Sequence, residues 1–323
     1  MLSQNRRYLN QVESLRAIAA LMVAIFHFSS HFEWQAETTE FFTYGAQGVE
    51  LFYLISGFII CFSLYHSKYS ISNYFRYLAK RFIRLLPPYY LTIFLIVVVG
   101  FCMHTFLWKI PYDFHFRQIT VNALFLGDVF PEYGWINPIF ATLEVELQFY
   151  LIIALIFPIL KKWNWSILVV SLLLLLGGVL TPAYDTVLRN APFFTSGIAL
   201  FFIMENNKNV WAWLSLTASL FTLFGYYLFI DLLPIVAGSL YIAFIPANTK
   251  FLNWSGKISY SYYLTHGLTG MWFLFFTKNY EFAQNNRLLM IFFALIIAWV
   301  GAFIVYMTVE RASMKFSKKI KYK

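Results

Sequence analysis

The chain has 323 residues, of which 60% are hydrophobic, 21% aromatic and only 12% charged. Soluble domains average about 45–50% apolar and about 25% charged residues, so an ordinary water-soluble enzyme is excluded. With 10 Pro and 15 Gly the chain is not low-complexity or disordered either. The formal charge of +9 suggests nucleic acid as a partner, but the basic residues follow the borders of apolar runs rather than any nucleic-acid module, and none is expected.

The N-terminus has a basic lead, Arg6 and Arg7, before an apolar run, as a signal peptide would. That run contains Arg16 and His27 and ends in Phe28-Ser29-Ser30-His31-Phe32 without a small-x-small cleavage pattern, so it reads as a retained first span. Further runs of roughly the ~20 residues a bilayer requires follow. Together they give candidate helices at 14–33, 47–66, 85–107, 138–160, 164–181, 189–205, 209–229, 231–247, 257–277 and 287–309. The fold class predicted is all-α: a polytopic transmembrane helical bundle of about ten spans with both termini cytoplasmic. A single domain is expected over 1–323, with 313–323 a basic tail, and the long connection 108–137 is expected to hold a short interfacial helix. Cys61 and Cys102 lie inside apolar stretches and read as small packed side chains, implying neither a disulfide framework nor a metal site.

Orientation follows from the basic residues. With the N-terminus inside, cytoplasmic segments carry Arg6, Arg7, Lys68, Arg76, Lys80, Arg81, Arg84, Lys161, Lys162, Lys208, Lys250, Lys257, Arg311 and the tail lysines 315, 318, 319, 321 and 323. The outer loops carry only Lys109, Arg117, Arg189, Lys278 and Arg287, so the count is 18 against 5. Outer loops hold acidic residues instead, among them Asp113, Asp128, Asp185 and Asp231. The tail lysines would meet anionic lipid headgroups.

Charged side chains within spans cost about 2.5–3.5 kcal/mol each on insertion scales and usually face a cavity or a partner. This chain has Arg16, His27, Glu50, Glu144, Glu146 and His266 in such places. Arg16 and His27 are eleven residues apart, a rotation of about 1100°, which leaves them within ~20° on one helix face and ~16 Å apart along it. That spacing suits an extended donor with a phosphate-bearing head at Arg16 and a reactive end near His27, and a coenzyme A thioester is such a molecule. Arg81 and Arg84, one turn apart in Lys80-Arg81-Phe82-Ile83-Arg84-Leu85-Leu86-Pro87-Pro88, suit bidentate phosphate contacts at the same mouth, or membrane-surface anchoring by snorkelling.

These residues match a family. Glu13-Ser14-Leu15-Arg16 with His27, and Gly48-Val49-Glu50-Leu51-Phe52-Tyr53-Leu54-Ile55-Ser56-Gly57-Phe58, resemble the signatures of the membrane acyltransferase family 3. So do the Arg81/Arg84 motif, Thr142-Leu143-Glu144-Val145-Glu146-Leu147-Gln148-Phe149-Tyr150, and Gly256-Lys257-Ile258-Ser259-Tyr260-Ser261-Tyr262-Tyr263-Leu264-Thr265-His266. Glu310-Arg311-Ala312 looks like the family's Glu-Arg-Pro close with Ala for Pro, and Ala141 stands where the family often has Trp; the resemblance spans about residues 8–312. It implies a multi-pass O-acyltransferase of the inner membrane, in the form without a fused extracytoplasmic domain. Such a protein moves an acyl group, commonly acetyl, from cytoplasmic acyl-CoA to a sugar hydroxyl of a surface or exported glycan presented from the outer face.

For that chemistry His27 is the expected general base, since imidazole titrates near neutral pH. Glu146 and Glu50 are near-equal candidates for its carboxylate partner. Arg16, Arg81 and Arg84 are expected on the CoA phosphates, and His266 either donates to the thioester carbonyl or makes a structural hydrogen bond. Acyl-CoA is a substrate; no resident cofactor is implied, and a homo-oligomer is left open. The rival classes are a glycan or solute transporter or flippase, for which no paired broken helices in related halves are visible, and a non-catalytic scaffold.

Overall fold

The structure is a computed structural model describing residues 2–67, 69–107, 114–181, 186–226, 232–245 and 249–322. Lys68, Lys109, Asp113, Asp185, Asp231, Lys323 and the side chains of Arg6 and Arg7 lie outside what is described. Among the described residues every regular element is helical, in the order α1 Leu2–Ser29, α2 Ala36–Thr43, α3 Gly48–His66, α4 Tyr74–Cys102, α5 Phe116–Ala123, α6 Ile139–Lys162, α7 Trp165–Leu180, α8 Ala191–Glu205, α9 Val210–Tyr226, α10 Leu232–Phe244, α11 Lys250–His266, α12 Trp272–Thr277, α13 Glu281–Asn285, α14 Arg287–Val305 and α15 Arg311–Lys319. Five stretches are long and apolar enough to cross a membrane: 9–29, 36–66, 71–106, 139–162 and 287–319; α7 to α10 are apolar but shorter. This is a helical membrane protein.

Local chemistry explains several boundaries. The C-terminal carbonyls of α1 are taken up by its own hydroxyls, Ser29 Oγ donating to Phe26 O (2.8 Å) and Ser30 Oγ to His27 O (2.7 Å), and by the Trp34 indole donating to Ser29 O (2.9 Å). That capping stops the first span at Ser29, four residues short of its expected end. In the other direction α4 starts at Tyr74 rather than near 85, so the Arg81/Arg84 motif lies within a helix that runs on through Pro87 and Pro88. Backbone groups freed by proline in a membrane helix are tolerated where neighbours bond to them. Here Tyr260 of α11 donates to Leu85 O (2.9 Å), and Thr92 Oγ1 to Pro88 O (2.9 Å). The expected interfacial helix of the long outer connection is α5, where Asn122 accepts from Ile136 N (3.1 Å) and donates to Gly134 O (3.0 Å), folding the connection back on itself.

The expected ninth span is continuous from Lys250 to Thr277 but contains a π-turn, Gly267–Met271, directly after His266. Two more π-turns occur among the described residues: Met103–Leu107 follows α4, and Tyr306–Glu310 joins α14 to α15. Such turns widen the helix and re-aim the side chains around them, and those at Gly267–Met271 and Tyr306–Glu310 occur beside or at buried ionisable residues, His266 and Glu310.

The bundle is held by close helix crossings. Helix α3 packs on α8, and α1 packs on α11 and α3. A methyl group on Gly57 would collide with the Phe194 carbonyl, and one on Gly197 would meet Leu54 O and lie 2.8 Å from Phe58 N. The backbones of α3 and α8 therefore touch, the small-residue contact favoured where lipid supplies no hydrophobic drive between helices. Gly256 meets the Glu13 backbone in the same way, which draws the start of α11 against α1. The tail is part of this end too: in α15, Ser317 Oγ donates to Lys80 O (2.9 Å), and beyond it Tyr322 packs its ring 5.7 Å from Tyr69 and under the Lys80 ammonium (4.8 Å). The described part of the basic tail is thus packed against α4.

Gly197→Val should destabilise the protein by about 1–3 kcal/mol through overpacking, seen as a lower melting temperature in detergent. Gly225→Ala, where a Cβ meets nothing within 4 Å, should leave that temperature unchanged or higher.

Candidate functional site

Helices α1, α3, α4, α6 and α11 enclose a narrow cavity, with Arg16, Arg81, Arg84, Glu146, Tyr150 and Tyr260 among its polar lining and Phe52, Ile55, Ile59 and Leu143 among its apolar wall. The three arginines expected to act together are thus brought to one place although they come from two helices 65 residues apart in sequence, Arg16 on α1 and Arg81 on α4. The Arg81 guanidinium lies over the rings of Tyr77 (5.4 Å) and Tyr150 (5.5 Å). Such stacking offsets the cost of removing the cation from water. Arg16 keeps a buried Nε–H with no hydrogen-bond acceptor.

Glu146 also lines this cavity. It accepts from Ser56 Oγ (2.7 Å) and from the Tyr150 hydroxyl, so a chain of polar contacts runs Ser56–Glu146–Tyr150–Arg81. The sequence placed Glu146 at the depth of His27 and offered it as that residue's partner. The structure joins it to Ser56 and Tyr150 instead, because helical rise determines depth but not the direction a side chain faces. Glu144, two residues away and about 200° around α6, points elsewhere: it is buried, and its Oε2 accepts the Gly127 N–H (3.0 Å). It anchors the loop that holds Gly127. Glu50 sits half-buried in the first turn of α3 and lines neither this cavity nor the cleft described below.

Beyond the cavity, at the far end of α1, the imidazoles of His27 and His266 face each other with centroids 5.3 Å apart and planes tilted by 31°. His266 is fully buried. Its Nδ1 lies 2.8 Å from Tyr263 O and 3.3 Å from Tyr262 O. Both neighbours are carbonyl oxygens, so Nδ1 carries the proton and the neutral ring presents a lone pair at Nε2. Of the two alternatives left by the sequence, the structural hydrogen bond is present, at Nδ1. Tyr263 connects the histidines to the arginine cavity, for it lines that cavity and its ring packs on His266 at 6.0 Å. Its hydroxyl is 2.6 Å from Thr142 Oγ1. On the other side of the pair an open cleft is lined by His31, one turn beyond His27, by Gly267, the neighbour of His266, and by Met271, Trp272 and Phe275.

Glu310 is a residue whose role the sequence did not reveal. The Glu310-Arg311-Ala312 motif entered only as part of the family resemblance. In the fold Glu310 is fully buried, accepts both the Ser261 N–H (3.2 Å) and the Ser261 hydroxyl (2.5 Å), and is attracted by Arg84 and Arg16. It therefore ties the end of α14 to α11 and supplies negative charge behind the arginine cavity. Ser56 and Tyr150 stand within the quoted signature stretches and Tyr77 outside them, but none was given a role, since polar residues of these types are common in membrane helices.

A family model described as an acyltransferase domain matches residues 9–307. A protein of Acidianus two-tailed virus that carries the name of an acetyltransferase, ORF330, is 26% identical over 239 residues, covering 70% of this chain and 67% of that protein. No solved structure matches. The matched region takes in the arginine cavity, the histidine pair and nearly every helix that positions them, and on that ground the chain belongs to the membrane acyltransferase family 3.

Proposed function

We propose that this protein transfers an acyl group, acetyl first among them, from acyl-CoA to a sugar hydroxyl of a surface or exported glycan. The observation that carries this reading is the position of the histidine pair between two spaces of different chemistry. On one side lies a cavity with three arginines, and on the other an open cleft flanked by Trp272, Phe275 and His31. Guanidinium groups suit phosphate, bidentately where geometry allows. A cleft with aromatic walls suits the apolar faces of a sugar. Donor and acceptor then meet at His27 from opposite directions.

In this reading Arg16, Arg81 and Arg84 hold the CoA phosphates while the pantetheine arm passes along the α1 face, past Phe52 and Tyr263, to bring the thioester to His27. His27 accepts the hydroxyl proton as the oxygen attacks the carbonyl carbon. Alignment of the two reactants supplies much of the rate. The arginine end is the cytoplasmic end and the cleft faces outward across the inner membrane. Supporting this orientation, the starts of α4 and α11 and the tail gather at the arginine end, where Glu13 lies in the field of Lys257, Arg16, Arg84 and Lys318. The acidic Glu33 backbone region lies at the other end, its carbonyl accepting from Arg287.

Three outcomes are expected. His27→Ala should abolish incorporation of label from radiolabelled acetyl-CoA into the glycan fraction of membranes while the protein still inserts and extracts as a monodisperse species; full incorporation would remove His27 from the mechanism. Arg16→Ala should raise KM for acetyl-CoA by tenfold or more, the loss of a charged hydrogen bond being about 1.5–3 kcal/mol, with KM for the acceptor little changed; equal effects on both substrates would make Arg16 a helix-pairing residue. With single cysteines introduced by Glu37→Cys or Lys319→Cys in a background lacking Cys61 and Cys102, a membrane-impermeant maleimide on intact cells should label only the first; the reverse pattern would invert the topology.

A further inference from the structure

We infer that His266 is the positioning residue for His27, its Nε2 lone pair accepting an N–H from the His27 ring in the place where a carboxylate was expected. The inference deepens the acyltransfer reading above and rests on it. Three observations carry it. The tautomer of His266 is set by its own backbone, with Nδ1–H directed at Tyr263 O (2.8 Å). Its Nε2 is buried and has no hydrogen-bond partner. A buried acceptor left unmatched costs about 1–3 kcal/mol, so a fully enclosed imidazole held in this tautomer is a site that calls for a donor. The third is the distance of a ring that can donate. Two imidazoles joined by a collinear N–H···N bond of ordinary length hold their centroids about 5.2 Å apart, and the His27 and His266 centroids are 5.3 Å apart. The pair is therefore at a separation that an N–H···N bond allows.

The alternatives around the pair are weaker. Glu146 is engaged by Ser56 and Tyr150. Phe28, packed edge-on against His266 at 6.0 Å, has no donor, and the Tyr263 hydroxyl is paired with Thr142. The Tyr262 ring is stacked on His266 at 6.3 Å and its buried hydroxyl has no partner among the described residues, so it is the rival donor that the Tyr262→Phe variant below tests. A neutral acceptor also suits this depth better than a carboxylate would, because it directs the imidazole base without adding a charge to an apolar interior.

In the reaction one ring nitrogen of His27 donates to His266, which leaves the other with its lone pair toward the acceptor hydroxyl. The hydroxyl oxygen bonds to the thioester carbonyl carbon while its proton passes to His27. The C–S bond then breaks, the carbonyl reforms, and the departing thiolate takes the proton from His27. His266 neither gains nor loses a proton.

The test uses three substitutions at one position in full-length protein in membranes, with radiolabelled acetyl-CoA as donor and label in the glycan fraction as readout. His266→Gln can place an acceptor oxygen where Nε2 stands; His266→Asn can keep the bond to Tyr263 O but offers nothing at Nε2; His266→Ala keeps neither. Asn and Ala are expected to lower kcat by at least about 100-fold with KM for acetyl-CoA within twofold, while Gln retains at least a tenth of wild-type kcat. Tyr262→Phe, which removes the nearby hydroxyl, is expected to leave kcat unchanged. If Asn is as active as Gln, His266 serves only the fold and the inference falls; if Gln is as inactive as Ala in a protein that extracts normally, His266 is itself the base and the inference also falls. Wild-type membranes that transfer no label would instead overturn the acyltransfer reading, a result distinguishable from either.

Discussion

Three guanidinium groups facing one narrow cavity inside a helical bundle constrain everything packed around them. A cation at such depth is tolerated only where charge, aromatic faces or water-accessible space offset its lost hydration. Each arginine here is met differently. Arg81 lies between the rings of Tyr77 and Tyr150. Arg84 and Arg16 feel the buried carboxylate of Glu310, and Arg16 also lies in the field of Glu13. The carboxylates are held in turn, Glu310 by Ser261 and Glu146 by Ser56 and Tyr150. Because Ser261 is on α11, Ser56 on α3 and Glu310 in the turn that ends α14, satisfying the arginines also fixes how six helices meet. The polar interior and the helix packing are one arrangement.

The close glycine contacts serve the same end. Charged groups on separate helices can converge only if the backbones carrying them approach closely. Gly256 brings the start of α11 onto α1 beside Glu13, and Gly57 and Gly197 let α3 and α8 touch immediately after Ser56. A bulkier residue at any of these positions would widen the crossing and move a partner of the arginine cavity away from it.

Much of this was legible in the sequence because lipid imposes simple rules. Apolar runs announced the helices, and α3, α6, α7 and α8 begin and end within a few residues of where hydropathy alone put them. Arg16 and His27 could be placed on one face because a helix has a fixed angular step, and the structure does direct the first to the cavity and the second to the neighbouring histidine. What spacing does not contain is azimuth between helices. Glu146 and His27 were matched by depth, yet Glu146 faces Ser56. Glu310 entered only through the family resemblance because its partner, Ser261, is 49 residues away. The start of α4 was missed because its first turns are amphipathic rather than apolar, and the π-turns after His266 and before Arg311 follow from packing that no local pattern records.

The π-turns after His266 and at Glu310 bear on why an enzyme fits this interior better than a carrier. A carrier needs an element that rearranges around a central site, and discontinuous helices in two related halves provide it. These two of the three described π-turns stand in α11–α12 and α14–α15, helices that pack on each other, and each lies next to or at an ionisable residue fixed by backbone groups: His266 by the Tyr263 carbonyl and Glu310 by the Ser261 amide. Irregularity in these helices therefore coincides with immobilised side chains. A fixed imidazole facing a second imidazole, with an arginine-lined cavity on one side and an open cleft on the other, favours holding two molecules in register over passing one through.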